Sequence, residues 1–319
     1  MYKKLLLALA LCAPLSAEAV THKFARIDTT DEKTTLKGAK KLGFKLQGKP
    51  KSAVKKVAVV GFQVRYNFEA PQAVKHSMLT GVTTTRWASL QVSPDAYHEL
   101  TDLLYGQFVA YLQSEGFEVV DSAAVLGSPA YAGIETGDEK EKNEWARYAP
   151  TGFSLLPMYA GRPTSKHGGI AAVTEATGAD ASVAVALNVG LCDFQGTAKW
   201  REGITDQRVC LIGPNKLWES AIPALNIEWY GGHEQGSKGV DEAWHARLYK
   251  FHDIWQDKRT GAVYDPPVVL SDAEIAAYAP KAQTGALGGE VAAYAVQVEA
   301  TFDRALTGAF AVWGDKVGP

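Results

Sequence analysis

Acidic and imidazole side chains crowd one short stretch of this 319-residue chain: Asp241, Glu242, His245, His252 and Asp253. Glu242 and His245 stand three apart, and His252 follows seven beyond His245. On a helix these could share a face and hold a divalent transition metal, with His233, beside Glu234, as a ligand from a second segment. The favoured reading of the same stretch is structural. A single E-x-x-H is half of the paired arrangement that binds metal in helix bundles. The helix would then pack Trp244, Tyr249, Phe251 and Trp255 on a sheet and leave its histidines in solvent.

Other chemical patterns are weaker. Ser52-x-x-Lys55 lies in a polar arm and lacks the companion motifs of Ser-Lys acyl transfer. Gly43 to Lys49 fits G-x-x-x-x-G-K, but Pro50 replaces the Mg²⁺-holding Ser or Thr and no apolar strand precedes it. His98-Glu99 reads as a surface pair on a helix. No G-x-S-x-G, H-E-x-x-H, G-x-G-x-x-G or C-x-x-C occurs. Five tryptophans, Trp200, Trp218, Trp229, Trp244 and Trp255, come with Tyr230 and Tyr264. Such rings suit carbohydrate or protein partners, and more often fill a core.

Lys and Arg number 33 against 35 Asp and Glu, a net charge of −2, with 46% hydrophobic residues. A near-neutral chain has no positive excess to neutralise phosphates, so nucleic acid is not an expected partner. The composition excludes a disordered chain and a disulfide-dense miniprotein.

The amino terminus reads as an address. Lys3 and Lys4 precede the apolar run Leu5–Leu15, and Ala17-Glu18-Ala19 has the small-residue pattern of a cleavage site. Residues 1–19 are therefore expected to be a signal peptide, with maturation at Val20. Acylation at Cys12 is not expected, because bulky Leu11 sits where a lipobox wants a small residue. Export exposes the remaining Cys192 and Cys210 to an oxidising compartment, where a disulfide is favoured. It would stabilise the fold by about 3 kcal/mol in the chain-entropy model.

The elements that must position these groups follow from patterning. Residues 20–53 form a Lys-rich polar leader, expected to be a solvated arm or peripheral strand pair. Val57–Val60 is apolar on both faces, as a buried strand requires, and Phe62 to Glu69 alternates as a half-exposed strand. Residues 82–92 offer a strand that could pair with it. Ser93-Pro94-Asp95 opens a helix with Tyr97, Leu100, Leu104, Phe108, Tyr111 and Leu112 on one face and Gly116 at its end. A strand at 117–120 follows, then a long loop insertion at 127–166. A short helix over 170–177 leads to a strand carrying Val183, Val185, Leu187 and Val189 on one face and small residues on the other. Arg208–Ile212 returns as a hairpin that could set Cys192 opposite Cys210. Leu217–Trp229 is a strand interrupted by Pro223. Residues 231–267 read as a second insertion, with a helix over Asp241–Trp255. Ser271-Asp272-Ala273-Glu274 is a capping box, and a last helix carries Val291, Tyr294, Val298, Phe302, Ala305 and Ala309. The expected class is α/β: one elaborated domain over 54–319, a mixed sheet with helices packed mainly on one face.

Lys56-Val57-Ala58-Val59-Val60-Gly61-Phe62, then Gly116-Phe117-Glu118-Val119-Val120, then Gly178-Ala179-Asp180-Ala181-Ser182-Val183 occur in that order. Together they resemble the α/β domain of exported envelope proteins of the CsgG and TolB amino-terminal type. The resemblance covers roughly residues 54–190 and implies a periplasmic or outer-membrane binding or assembly role without catalysis. The expectation is thus an exported envelope protein acting through a sheet edge or the loops at 127–166 and 231–267. Its partner would be an envelope protein or polysaccharide, with peripheral membrane contact and no cofactor. The alternatives are a metal-dependent periplasmic enzyme using His233, Glu242, His245 and His252, and a carbohydrate-binding module.

Overall fold

Val57–Val60 lies in an interior strand of the sheet in a computed structural model of the chain. The structure describes residues 27–50, 53–67, 69–76, 83–89, 92–137, 145–159, 162–163, 167–193, 207–211, 223–235, 241–251, 268–279, 287 and 291–317. In chain order the elements are α1 (Glu32–Lys41), β1 (Phe44–Gln47), β2 (Lys56–Asn67), β3 (Glu69–His76), β4 (Thr83–Ser89), α2 (Pro94–Ser114), β5 (Glu118–Val119), α3 (Ser122–Leu126) and α4 (Pro129–Ala132). Then come β6 (Trp145–Tyr148), β7 (Met158–Tyr159), β8 (Arg162–Pro163), α5 (His167–Thr177), β9 (Ala181–Asp193), β10 (Gln207–Leu211), β11 (Pro223–Gln235), β12 (Asp241–Phe251), α6 (Asp272–Ala277) and α7 (Ala292–Val317).

The main sheet runs β1-β12-β11-β9-β2-β5, with β10 paired to β9 and β6 to β2. β2 is parallel to β5 and β9, and the remaining pairs are antiparallel, so the sheet is mixed. The fold is α/β, with the long helices α2 and α7 on one face. Ser93 accepts from Ala96 N at 3.2 Å and starts α2, and Gly116 at φ +90° ends the turn after it. The predicted stripe of α2 is buried except for half-buried Tyr111, and that of α7 except for half-buried Val291, which precedes the helix. Phe62 of β2 meets Phe108 of α2 at 5.9 Å and Phe302 of α7 at 6.0 Å. Trp229 of β11 stacks on Trp313 at 4.4 Å. Such ring pairs add to the area they bury.

A bulge between Val59 and Gly61 shifts the parity of β2. Before it Val57 and Val59 face the long helices; after it Phe62, Val64 and Tyr66 do. The opposite face is also covered. Ala58 and Val60 pack with Ile170 and Val173 of α5 and with Leu156. A β-carbon on Gly61 would fall 2.4 Å from Leu156 Cδ1, so glycine there admits the close approach. The half-exposed strand expected after Phe62 is therefore buried on both faces as far as Tyr66, including Gln63 and Arg65.

Two other expectations change. The Lys-rich segment is not a solvated arm where it is described: it supplies α1 and β1, and Ile27, Ala39, Leu42 and Phe44 enter the main core. Asp31 caps α1, and one face of it packs while its lysines stay outside. Arg304 Nη1 of α7 donates to the Ile27 carbonyl at 2.5 Å, and buried Lys250 Nζ donates to the Leu42 carbonyl. The 127–166 stretch contains β6, which extends the sheet beside β2; the charged patch at 138–144 lies outside the described residues.

Candidate functional site

The 231–267 stretch contains no helix where it is described. Asp241–Phe251 is the strand β12, antiparallel to β11. Trp244, Ala246 and Leu248 join the main core, and His245, Arg247 and Tyr249 alternate with them. This period of two competed with good helix formers in the same run, and pairing with β11 decided it. Gly231 is needed beside it, because a β-carbon there would lie 1.7 Å from the Trp244 indole nitrogen.

Strand register builds a polar ladder on the sheet face opposite the long helices. Asn226 stands opposite Tyr249, Glu228 opposite Arg247, and Tyr230 opposite His245. On the other side of β11 the opposing residues are Ala186, Ala184 and Ser182 of β9, small enough to leave room. Glu228 is 1% exposed, Arg247 2% and Asn226 0%. Glu228 Oε2 accepts from Tyr230 OH at 2.5 Å and from His245 Nε2 at 3.1 Å. Its Oε1 accepts from Asn226 Nδ2 at 2.8 Å. Arg247 Nε donates to Asn226 Oδ1 at 2.7 Å and lies 3.6 Å from Glu228 Oε1. Its guanidinium stands 4.5 Å from the Tyr249 ring centre.

Burial alone would push the Glu228 carboxyl up. Hydrogen bonds from His245, Tyr230 and Asn226 outweigh that and hold it below the ordinary glutamate value. A carboxylate with both oxygens engaged acts as a positioning group and not as a proton acceptor. It fixes the His245 ring, whose side chain keeps 33% of its surface. The array therefore reaches the surface at His245 and at half-buried Tyr249.

The same face continues across the sheet. Arg65 of β2 lies over the Trp145 ring at 4.0 Å, and Arg65 is opposite Arg147 of β6. Asn188 of β9 donates from Nδ2 to the Pro223 carbonyl at 2.6 Å. At the other end, register places Lys45 of β1 opposite Tyr249. Arg65, Arg147, Arg247 and Lys45 thus share this face with the Glu228 array.

No family model matches the chain, and no curated protein or solved structure matches it. The site is therefore argued from its own geometry.

The predicted metal set is not brought together as a helical face. Alternation along β12 puts positions 242 and 245 on opposite faces of the strand. His233 lies opposite Ala243, on the same face as position 245, across a bulge between Tyr230 and His233. His252 and Asp253 lie outside the described residues. Among the described residues no group of three or more His, Cys, Asp or Glu could hold a metal ion. Of the aromatic cluster, Trp229 and Trp244 are core residues; Trp200, Trp218, Trp255 and Tyr264 lie outside the described residues.

Cys210 is opposite Gly190 and Arg208 is opposite Cys192, so the two cysteines occupy diagonal positions on one face of the β9–β10 hairpin. The strand expected over Leu217–Trp229 begins at Pro223, the first-residue position that a proline tolerates.

Sequence reasoning missed Asn226, Glu228, Arg247, Arg65 and Trp145. A signal was present: Asn226-x-Glu228-x-Tyr230 and His245-x-Arg247-x-Tyr249 are two polar triplets of period two.

Proposed function

We propose that this chain is an exported envelope binding or assembly protein, and that its ligand surface is the polar sheet face centred on Glu228, His245 and Arg247. The carrying observation is the buried array of hydrogen bonds centred on Glu228, where packing alone calls for apolar side chains. Desolvating an ion pair costs stability that hydrophobic residues of similar volume would not. Retaining it gives a rigid set of donors held in place before any ligand arrives. The array reaches the surface at His245 and Tyr249, the arginines make the face cationic, and Glu228 is already saturated by its neighbours. The ligand class that fits is acceptor-rich and anionic, an acidic envelope polysaccharide or an acidic protein segment. Export rests on the sequence of residues 1–19, which lie outside the described residues. Among the described residues no helix is long and apolar enough to cross a membrane. The metal-dependent alternative loses its support with the helix it assumed.

Tryptophan fluorescence tests the reading, because Trp145 lies within the face, stacked on Arg65. Titration with acidic envelope polysaccharide or an acidic peptide should give a saturable change, weakened at least about tenfold in His245→Ala, about 1.4 kcal/mol of binding. Identical titrations for the variant and the natural protein would remove the proposal.

A further inference from the structure

Lys33 to Lys49 holds six lysines, Lys33, Lys37, Lys40, Lys41, Lys45 and Lys49, and no carboxylate, in a chain whose net charge is −2. All six are exposed. The four on α1 recur at i, i+4, i+7 and i+8, one stripe of the helix. Thr35, Gly38 and Ala39 bury the opposite stripe. Lys45 and Lys49 continue the charge along β1 and past it at the sheet edge. Among the described residues only Lys40 of the six has an ion-pair partner, Asp315 at 3.0 Å. The scaffold beneath is fixed by the contacts of Arg304 with Ile27 and of Lys250 with Leu42. Lysines on an edge strand can serve only to block strand pairing, which accounts for Lys45 but not for the helical stripe.

We propose that this lysine-lined edge, α1 with β1, seats the protein on an anionic phospholipid bilayer. The chemistry of the patch selects that partner. It contains lysine without arginine, and lysine is a point charge with no bidentate geometry for a particular anion. Its one aromatic residue, Phe44, is buried, so no exposed ring is offered to a sugar. Point charges along a fixed edge match a field of headgroups, each lysine adding to the attraction within a Debye length. Lys45 faces the Glu228 array, but the α1 lysines lie on the helix packed against α7, and the triple variant below leaves Lys45 in place, so the two proposals are tested independently.

Sedimentation with vesicles decides it, using purified protein. Phosphatidylcholine vesicles with about 30 mol % phosphatidylglycerol should carry the protein down, and pure phosphatidylcholine should not. Raising NaCl from about 50 to about 500 mM should release it. Lys33→Gln, Lys37→Gln and Lys41→Gln together should weaken binding at least about tenfold. Glutamine keeps helix propensity, and an unchanged circular dichroism melt verifies the fold. Lys55→Gln with Lys56→Gln, on the strand bordering the other edge, should leave binding as it was. Equal binding to neutral vesicles, or an undiminished triple variant, overturns the proposal. So does retention on soluble dextran sulfate without vesicle binding, which would make the partner a polymer.

Discussion

Glu228 on β11 and His245 on β12 meet at 3.1 Å with no direct register pairing between them; the contact is diagonal, through the position occupied by Tyr230. The geometry makes a nearly inaccessible carboxylate the hub for three donors, one of which reaches solvent. Glu228 is held below its ordinary value of 4.5, so its ionised form is stabilised by folding. The sign follows from linkage: this contribution is fully present above the unfolded value and is lost as pH falls through the lower native value. Urea melts across about pH 3 to 7 should show stability falling below about pH 4.5. Glu228→Gln should flatten that fall and cost about 1–3 kcal/mol at neutral pH. An equally steep acid limb in the variant would assign the effect to other carboxylates.

Arg247 is the partner whose loss leaves Glu228 charged and buried. Arg247→Met should cost about 3–5 kcal/mol by chemical denaturation. Replacing the whole array, Asn226→Leu with Glu228→Leu and Arg247→Met, should recover most of that loss, since a well-packed apolar set avoids desolvation. The same variant should lose the ligand-induced fluorescence change. A triple variant as unstable as the single one would show that the polar ladder is required for folding.

The β9–β10 hairpin carries the proposed Cys192–Cys210 disulfide. Its diagonal positions share one face of the hairpin. A non-reducing peptide map should recover the two cysteines in one linked fragment. Reduction, or Cys192→Ser, should lower stability by about 3 kcal/mol. Two separate thiol-bearing fragments from protein kept under oxidising conditions would rule the bond out.

Much of the fold was legible because its signals are local. The Ser93-Pro94 start of α2, the capping box at Ser271 and the double-sided apolar run at Val57 each depend on a few neighbouring residues. The polar array was not legible in this way. Asn226 and Arg247 are far apart in the chain, and only the β11–β12 register joins them. Asp241–Phe251 misled because alanine, leucine, glutamate and lysine favour a helix in isolation, while their alternation mattered only beside a partner strand. The Lys-rich segment misled in a different way: its few apolar residues, Ile27, Leu42 and Phe44, are enough to seat it on α7 and the sheet.

What the sequence by itself determined was the α/β alternation of elements, the ends of the main helices and which face of each is apolar. These follow from spacing and capping chemistry within single elements. What the tertiary structure alone decided was the parity of β2 after its bulge, the strand state of β12 and the company of Glu228. The reason is physical: a strand's backbone hydrogen bonds and the partners of a buried charge come from segments distant in the chain, so neither is settled until those segments meet.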